Sequence, residues 1–105
     1  MTVGRIAAVS PSATTNTLIY TVPARSAATP FDATVNICNR NSSNVVVRFA
    51  VVDGGVSELV AADWIEYDVT VRAGGGIEKE NIKMTQGQSI IGYSDTSNVN
   101  FQVWA

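Results

Sequence analysis

The sequence predicts an all-β fold: a compact antiparallel two-sheet β-sandwich, immunoglobulin-like or jelly-roll-like, of seven to eight short strands with one helical turn. Three observations carry this. Runs rich in Val, Ile, Thr and aromatic residues recur at short intervals between turn residues. No segment keeps a helical period. The 105 residues, 46% apolar and 15% charged, make one domain, 1–105, with enough apolar material for a core and too little charge for disorder. So many half-apolar strands in so short a chain bury themselves only as a sandwich or a closed barrel, and the sandwich is preferred.

The elements follow in order. Residues 4–9 read as a first strand ended by Ser10-Pro11-Ser12, with 1–11 serving as an N-terminal arm or an edge strand. Residues 17–22 form the next strand, stopped by Pro23. Residues 33–39 alternate, with Val35 and Ile37 on one face and Thr34, Asn36 and Cys38 on the other. A polar turn over 39–44 leads into 45–52, and a hairpin spanning 33–52 is the expected pairing. Asp53-Gly54-Gly55 breaks the pattern, and a single helical turn is expected within 57–64 behind a Ser57 cap. Residues 65–72 set Ile65, Tyr67, Val69 and Val71 against Glu66, Asp68, Thr70 and Arg72. After a triple-glycine turn, residues 77–84 set Ile77, Lys79, Asn81 and Lys83 against Glu78, Glu80, Ile82 and Met84. Strands at 89–94 and 99–104 complete the set.

Two strands depart from a simple inside/outside pattern. In 45–52, Val45, Val47, Phe49 and Val51 share one face, yet Val46, Ala50 and Val52 surround Arg48 on the other. In the last strand Val99, Phe101 and Val103 point inward, whereas Trp104 points outward with Asn100 and Gln102. Two covers are open for this spare apolar surface: the 57–64 turn, or another subunit.

The chemistry-bearing residues argue against an enzyme. Histidine is absent, which removes the commonest general base and transition-metal ligand. Cys38 is the single cysteine, so no intrachain disulfide forms, and it reads as a small core or interface residue. Glu66 with Asp68, and Glu78 with Glu80, are paired carboxylates on strand faces; the solvated, cross-strand-paired reading with Arg72, Lys79 and Lys83 outweighs acid–base or calcium chemistry. Gly74-Gly75-Gly76 lacks the residues of a phosphate loop. Trp64, Tyr67, Tyr93 and Trp104 offer a lesser alternative, a sugar-stacking platform. No metal, cofactor or catalytic set is expected.

Charge and targeting signals are equally plain. Seven Lys+Arg against nine Asp+Glu leave −2 with scattered signs, so neither nucleic acid nor a membrane surface is an expected partner. The longest unbroken apolar runs, 45–47 and 49–52, fall far short of the roughly 20 residues of a bilayer helix. The N-terminal residues show no signal-peptide architecture, and synthesis in a reducing cytoplasm without export is expected.

The strings Val3-Gly-Arg-Ile-Ala-Ala-Val, Ile19-Tyr-Thr-Val-Pro-Ala24, Val35-Asn-Ile-Cys-Asn-Arg40, Trp64-Ile-Glu-Tyr-Asp68 and Gly76-Ile-Glu, with Gln86-Gly-Gln-Ser-Ile90, occur in that order along nearly the whole chain. Together they resemble small β-rich virion structural proteins of tailed bacteriophages, of the cyanophage and marine-phage type. The strings are strand-and-turn patterns rather than chemical signatures. The resemblance implies an accessory part of the particle, on the capsid or in the tail, with no catalytic residues to transfer. It places the chain in the virion after synthesis in the host bacterial cytoplasm.

The expected function is therefore a capsid decoration (cement) protein that stabilises the head shell through subunit contacts. The alternative is a tail or tail-fibre component touching host-surface sugar. Expected partners are copies of itself, as a homotrimer, and the major capsid protein or tail proteins. The residues expected at a subunit or capsid interface are Val3, Ile6, Val9, Val46, Val52 and Trp104.

Overall fold

The computed structural model describes residues 4–23 and 31–105. Eight strands form two antiparallel four-stranded sheets: β1 (Arg5–Val9), β2 (Thr17–Thr21), β3 (Phe31–Asn39), β4 (Val45–Asp53), β5 (Trp64–Val71), β6 (Gly76–Met84), β7 (Gln88–Ser94) and β8 (Val99–Trp104). The first sheet runs β1-β8-β3-β6 and the second β2-β7-β4-β5. Hydrogen-bonded neighbours thus include β1 with β8, β2 with β7, β3 with β6 and β4 with β5, all antiparallel. That nesting, outermost strand with outermost and innermost with innermost, is a long ribbon rolled across two sheets, the order of a jelly roll.

The expected strands are present, but the expected hairpin over 33–52 is not. β3 pairs with β6 and β8, and β4 pairs with β5 and β7, so the 39–44 connection crosses from one sheet to the other. The physical reason is that Val35 and Ile37 of β3 and Val45, Val47 and Phe49 of β4 all need the same core, and they reach it from opposite sides. The crossing is pinned by Asn39, only 1% exposed. Its Nδ2 donates to the carbonyls of Ser43, Val71 and Arg72 at 2.9–3.1 Å, and its Oδ1 accepts from the Asn41 backbone at 2.9 Å. A buried amide with every polar atom engaged stabilises one path for the chain and penalises others.

Between the sheets lies the main core: Ala33, Val35 and Ile37 of β3 and Val99, Phe101 and Val103 of β8 meet Val45, Val47, Phe49, Val71 and Ile90 of the second sheet. Each of the Val, Ile and Phe side chains contributes about 1.5–3 kcal/mol by leaving water. Gly92 of β7 suits this packing, because a Cβ there would stand 3.1 Å from both Ile19 Cδ1 and Phe101 Cδ2 and those side chains would have to give way by a few tenths of an ångström. The 1–11 segment is, over its described part, an edge strand of the first sheet. Ala7 and Val9 pack against the core, and Gly4 exchanges two backbone hydrogen bonds of 3.0 Å with Ala105.

Alternation fails where the chain turns left-handed. Asp68 (φ 54°) and Asn81 (φ 60°) interrupt β5 and β6, and there the register skips: Val47 opposes Val69 but Phe49 opposes Glu66, and Ala33 opposes Ile82 but Val35 opposes Lys79. Asp and Asn are the side chains that tolerate this conformation best. Each bulge flips the inward face. Hence Val69 and Val71 turn to the core while Ile65 and Tyr67, expected on their face, are exposed; Ile77 and Ile82, expected on opposite faces, both pack inward. Lys79 reaches Glu66 at 2.8 Å, joining the two sheets along the edge where β5 and β6 lie, and Lys83 pairs with Asp32 at 2.6 Å. Bulges and charges of this kind disfavour edge-to-edge pairing of strands.

The expected single helical turn is instead two 3₁₀ turns, Val56–Glu58 and Ala61–Asp63. Ser57 is not the cap: it lies inside the first turn and donates its hydroxyl to Glu58, which itself accepts the Gly55 N–H at 2.9 Å. Among the described residues no helix is long and apolar enough to cross a membrane.

Candidate functional site

The outer face of the second sheet is not a simple solvated face. Direct register aligns Leu18, Ile91, Ala50 and Trp64 in one row across β2, β7, β4 and β5. Ala50, Val52 and Ile91 form a second hydrophobic cluster, each no more than 1% exposed, with Leu59 and Trp64 packed over it. The covering segment between β4 and β5 is tied down at both turns. Glu58 accepts from Gly55, Asp63 accepts from the Val60 backbone at 3.0 Å, and the Ser89 hydroxyl of β7 donates to the Gly54 carbonyl at 2.6 Å. The Gly55 N–H and the Ser57 hydroxyl hold the Glu58 carboxyl below its usual range.

Beside this roof, Arg48 organises an aromatic cluster. Arg48 is the register partner of Tyr93. Its guanidinium carbon stands 4.1 Å from the Tyr67 ring centre, 4.5 Å from Tyr93 and 5.9 Å from Trp64. Trp64 and Tyr67 meet edge to face, with centroids 5.6 Å apart. The Arg48 Nε donates to Asp68 Oδ1 at 2.6 Å, and that bond, with the negative charge of Asp68, raises the Arg48 pKa against the opposing effect of burial. The left-handed bulge is what brings the Asp68 carboxylate into this position. Cation–π contacts of this kind contribute about 0.5–2 kcal/mol each, depending on desolvation. The result is a preordered patch of Arg, Tyr and Trp with Tyr67 55% exposed.

The residues expected at an interface do not converge. Val46 lies two residues from Arg48 on the same outer face and is half-buried. Val52 is covered by its own chain, in the cluster beneath Leu59 and Trp64, so of the two covers open to it the 57–64 segment is the one present. Val9 packs against the main core. Ile6 and Trp104 are 38% and 39% exposed on the first sheet, away from Val46. Val3 lies outside the described residues. Of the four aromatic residues expected to share a platform, Trp64, Tyr67 and Tyr93 do and Trp104 does not; one face of Tyr67 and of Tyr93 is taken by Arg48.

Other groups fall apart chemically. Glu66 and Asp68, expected as a pair, face different partners, Lys79 and Arg48. Cys38 is exposed on β3 rather than in the core. Among the described residues no group of three or more His, Cys, Asp or Glu comes together to hold a metal. Arg48 itself was missed as the organiser. Its signal was a lone arginine within an otherwise apolar strand face, which needs its counter-charge and ring partners from other strands to be recognised.

No family model matches this chain, and comparison with curated proteins and with solved structures returns no match.

Proposed function

We propose that this chain is a non-catalytic structural component of a tailed-bacteriophage particle: a decoration protein that lies on the head shell, assembles as a homotrimer and contacts the major capsid protein. The observation that carries the reading is the Arg48–Trp64–Tyr67–Tyr93 patch next to Val46. Trp, Tyr and Arg are the residues in which the binding energy of protein interfaces concentrates. Here they already contact one another before any partner arrives, and such preordering lowers the ordering cost of association. The jelly-roll order is shared by capsid domains and by lectins, so the fold is compatible with this role without selecting it.

Quantitative mass spectrometry of purified particles that carry the chain tests the proposal. Hundreds of copies per particle support a head-shell position, a few dozen or fewer point to the tail, and absence from particles overturns both. Val46→Glu and Tyr67→Ala are expected to leave the fold intact and abolish incorporation. Light scattering of the purified chain is expected to give three times the 11.1 kDa of one copy; a stable 11.1 kDa species removes the trimer. The alternative, a tail or tail-fibre component touching host-surface sugar, is favoured by one feature: an open cavity along β1 and β8 lined by Arg5, Ser10, Asn100 and Gln102.

A further inference from the structure

The outer face of the first sheet has a chemistry of its own. While Val99, Phe101 and Val103 fill the core, β8 presents Asn100, Gln102 and Trp104 outward at alternate positions. Register sets Gln102 between Ala8 of β1 and Asn36 of β3, and Trp104 between Arg5 and Thr34. Along β1 and β8 opens a cavity of about 250 Å³ lined by Arg5, Ala8, Val9, Ser10, Asn100 and Gln102. That is below the roughly 300–1,000 Å³ of sites for drug-sized ligands and on the scale of one ring-sized solute.

The hydrogen-bonding capacity of this cavity is only partly used. The Ser10 hydroxyl donates to the Val99 carbonyl at 3.1 Å and keeps its acceptor lone pairs. Asn100 Oδ1 accepts from Arg40 Nε at 3.1 Å, which leaves the Asn100 NH₂ to donate outward. Gln102 has no side-chain partner among the described residues, and Arg5 has no ion-pair partner among them. The lining thus offers one guanidinium, two primary amides and a hydroxyl, with no carboxylate.

We propose that this cavity binds a carboxylate-bearing sugar ring, a hexuronic acid of a surface glycan. Arg5 takes the carboxylate, for which a guanidinium fork is the best-matched side chain. The Asn100 and Gln102 amides donate to and accept from ring hydroxyls. Trp104, one pleat repeat of about 7 Å beyond Gln102 on the same face, offers an apolar surface to the next ring of a chain. A bare inorganic anion uses only Arg5 and leaves the amides idle, whereas a neutral hexose uses the amides and leaves Arg5 unpaired. The overall charge of −2 gives no general attraction for anions, so selectivity rests on this local arrangement. For its biological setting the inference rests on the tail or host-sugar alternative, but its chemistry is testable on the isolated chain.

The test is a titration of the full chain, uniformly ¹⁵N-labelled, followed by backbone amide signals at constant ionic strength. The probes are sodium D-glucuronate, sodium D-galacturonate, D-glucose and sodium acetate. Either uronate is expected to shift signals of residues 5–10 and 100–104 saturably, with an affinity about tenfold above that for glucose or acetate. Arg5→Gln is expected to erase that preference. Asn100→Asp, which keeps an acceptor for Arg40 but removes the amide donor and adds a negative charge to the lining, is expected to weaken the uronates far more than glucose. Tyr67→Ala, on the opposite sheet, is expected to change neither. Absence of saturable shifts with both uronates, an equal response to acetate, or an unchanged preference in Arg5→Gln overturns the site. Failure here leaves particle incorporation untouched, and failure of incorporation leaves uronate binding untouched, so the two proposals fall separately.

Discussion

The two outer faces of the sandwich, built from strands of similar length, differ in kind. On the first sheet, outward positions of the central strands are polar apart from Trp104: Asn36 and Thr34 on β3, Asn100 and Gln102 on β8. On the second sheet, the outward positions Ala50 and Val52 on β4 and Ile91 on β7 are as deeply buried as the main core, beside the half-buried Arg48 and Tyr93. The difference arises from the connection between β4 and β5, which folds back as two 3₁₀ turns and lays Leu59 and Trp64 over the sheet. A strand that is apolar on both faces therefore signals a third layer, and that layer can be a short loop of the same chain. The bare first face and the roofed second face are then suited to different partners: soluble polar ligands on one, a preordered aromatic patch for protein contact on the other.

The comparison is most easily broken at matched outward positions. Ile91→Ala, on β7, is expected to cost about 2–5 kcal/mol, a core-sized loss, because it empties the roofed cluster. Gln102→Ala, at the corresponding outward position of β8, is expected to change stability by no more than about 0.5 kcal/mol. Urea unfolding of both variants measures the contrast; equal effects would remove the distinction between the faces. Next in size is Gly54→Ala. Gly54 has φ +117°, and a Cβ there would stand 2.6 Å from Glu58 Oε1 at the base of the roof. A cost of about 1–3 kcal/mol is expected, accompanied by a red shift of tryptophan fluorescence as Trp64 lifts off the cluster it covers.

Part of this contrast is legible in the sequence alone. The strand positions, the outward set Asn100, Gln102 and Trp104, and the two-sided character of β4 all follow from alternation, which is local. The partner of each strand does not, because register between strands far apart in the chain leaves no trace in either one alone; so β3 and β4, adjacent in sequence and joined by a polar turn, read as a hairpin while lying in different sheets. The bulges were hidden for a related reason. Asp68 and Asn81 look like ordinary polar positions in alternating strands, and only their left-handed backbone reveals that they reset the inward face. The Arg48 cluster depended on one of those bulges and could not be assembled without it. Asp68→Ala sharpens this point, with an expected loss of about 1 kcal/mol from the half-exposed ion pair and the left-handed strain together. Asp68→Asn keeps the tolerance for positive φ and is expected to lose less than half of that. Thermal unfolding distinguishes the two, and identical losses would place the whole effect in the charge.

The smallest expected effect concerns the roof alone and is read through pH. Glu58 accepts from the Gly55 N–H and the Ser57 hydroxyl, and these donors favour its ionised form, so its folded pKa lies below the ordinary value of 4.5. A group with a depressed folded pKa adds stability that is fully present above its unfolded pKa and disappears as pH falls through the folded one. Glu58→Gln removes the charge while keeping an oxygen able to accept from Gly55. Its melting temperature is therefore expected to lie slightly below that of the wild type at pH 7. The gap should narrow as pH drops below 4.5 and close once Glu58 is protonated in both states. Because Glu58 is exposed, the gap at pH 7 is also expected to shrink in high salt. No such change is expected for Gln102→Ala, whose face has no acid-capped turn above it. A melting difference for Glu58→Gln that persists unchanged at pH 3 would show that the carboxylate stabilises the roof through shape rather than charge.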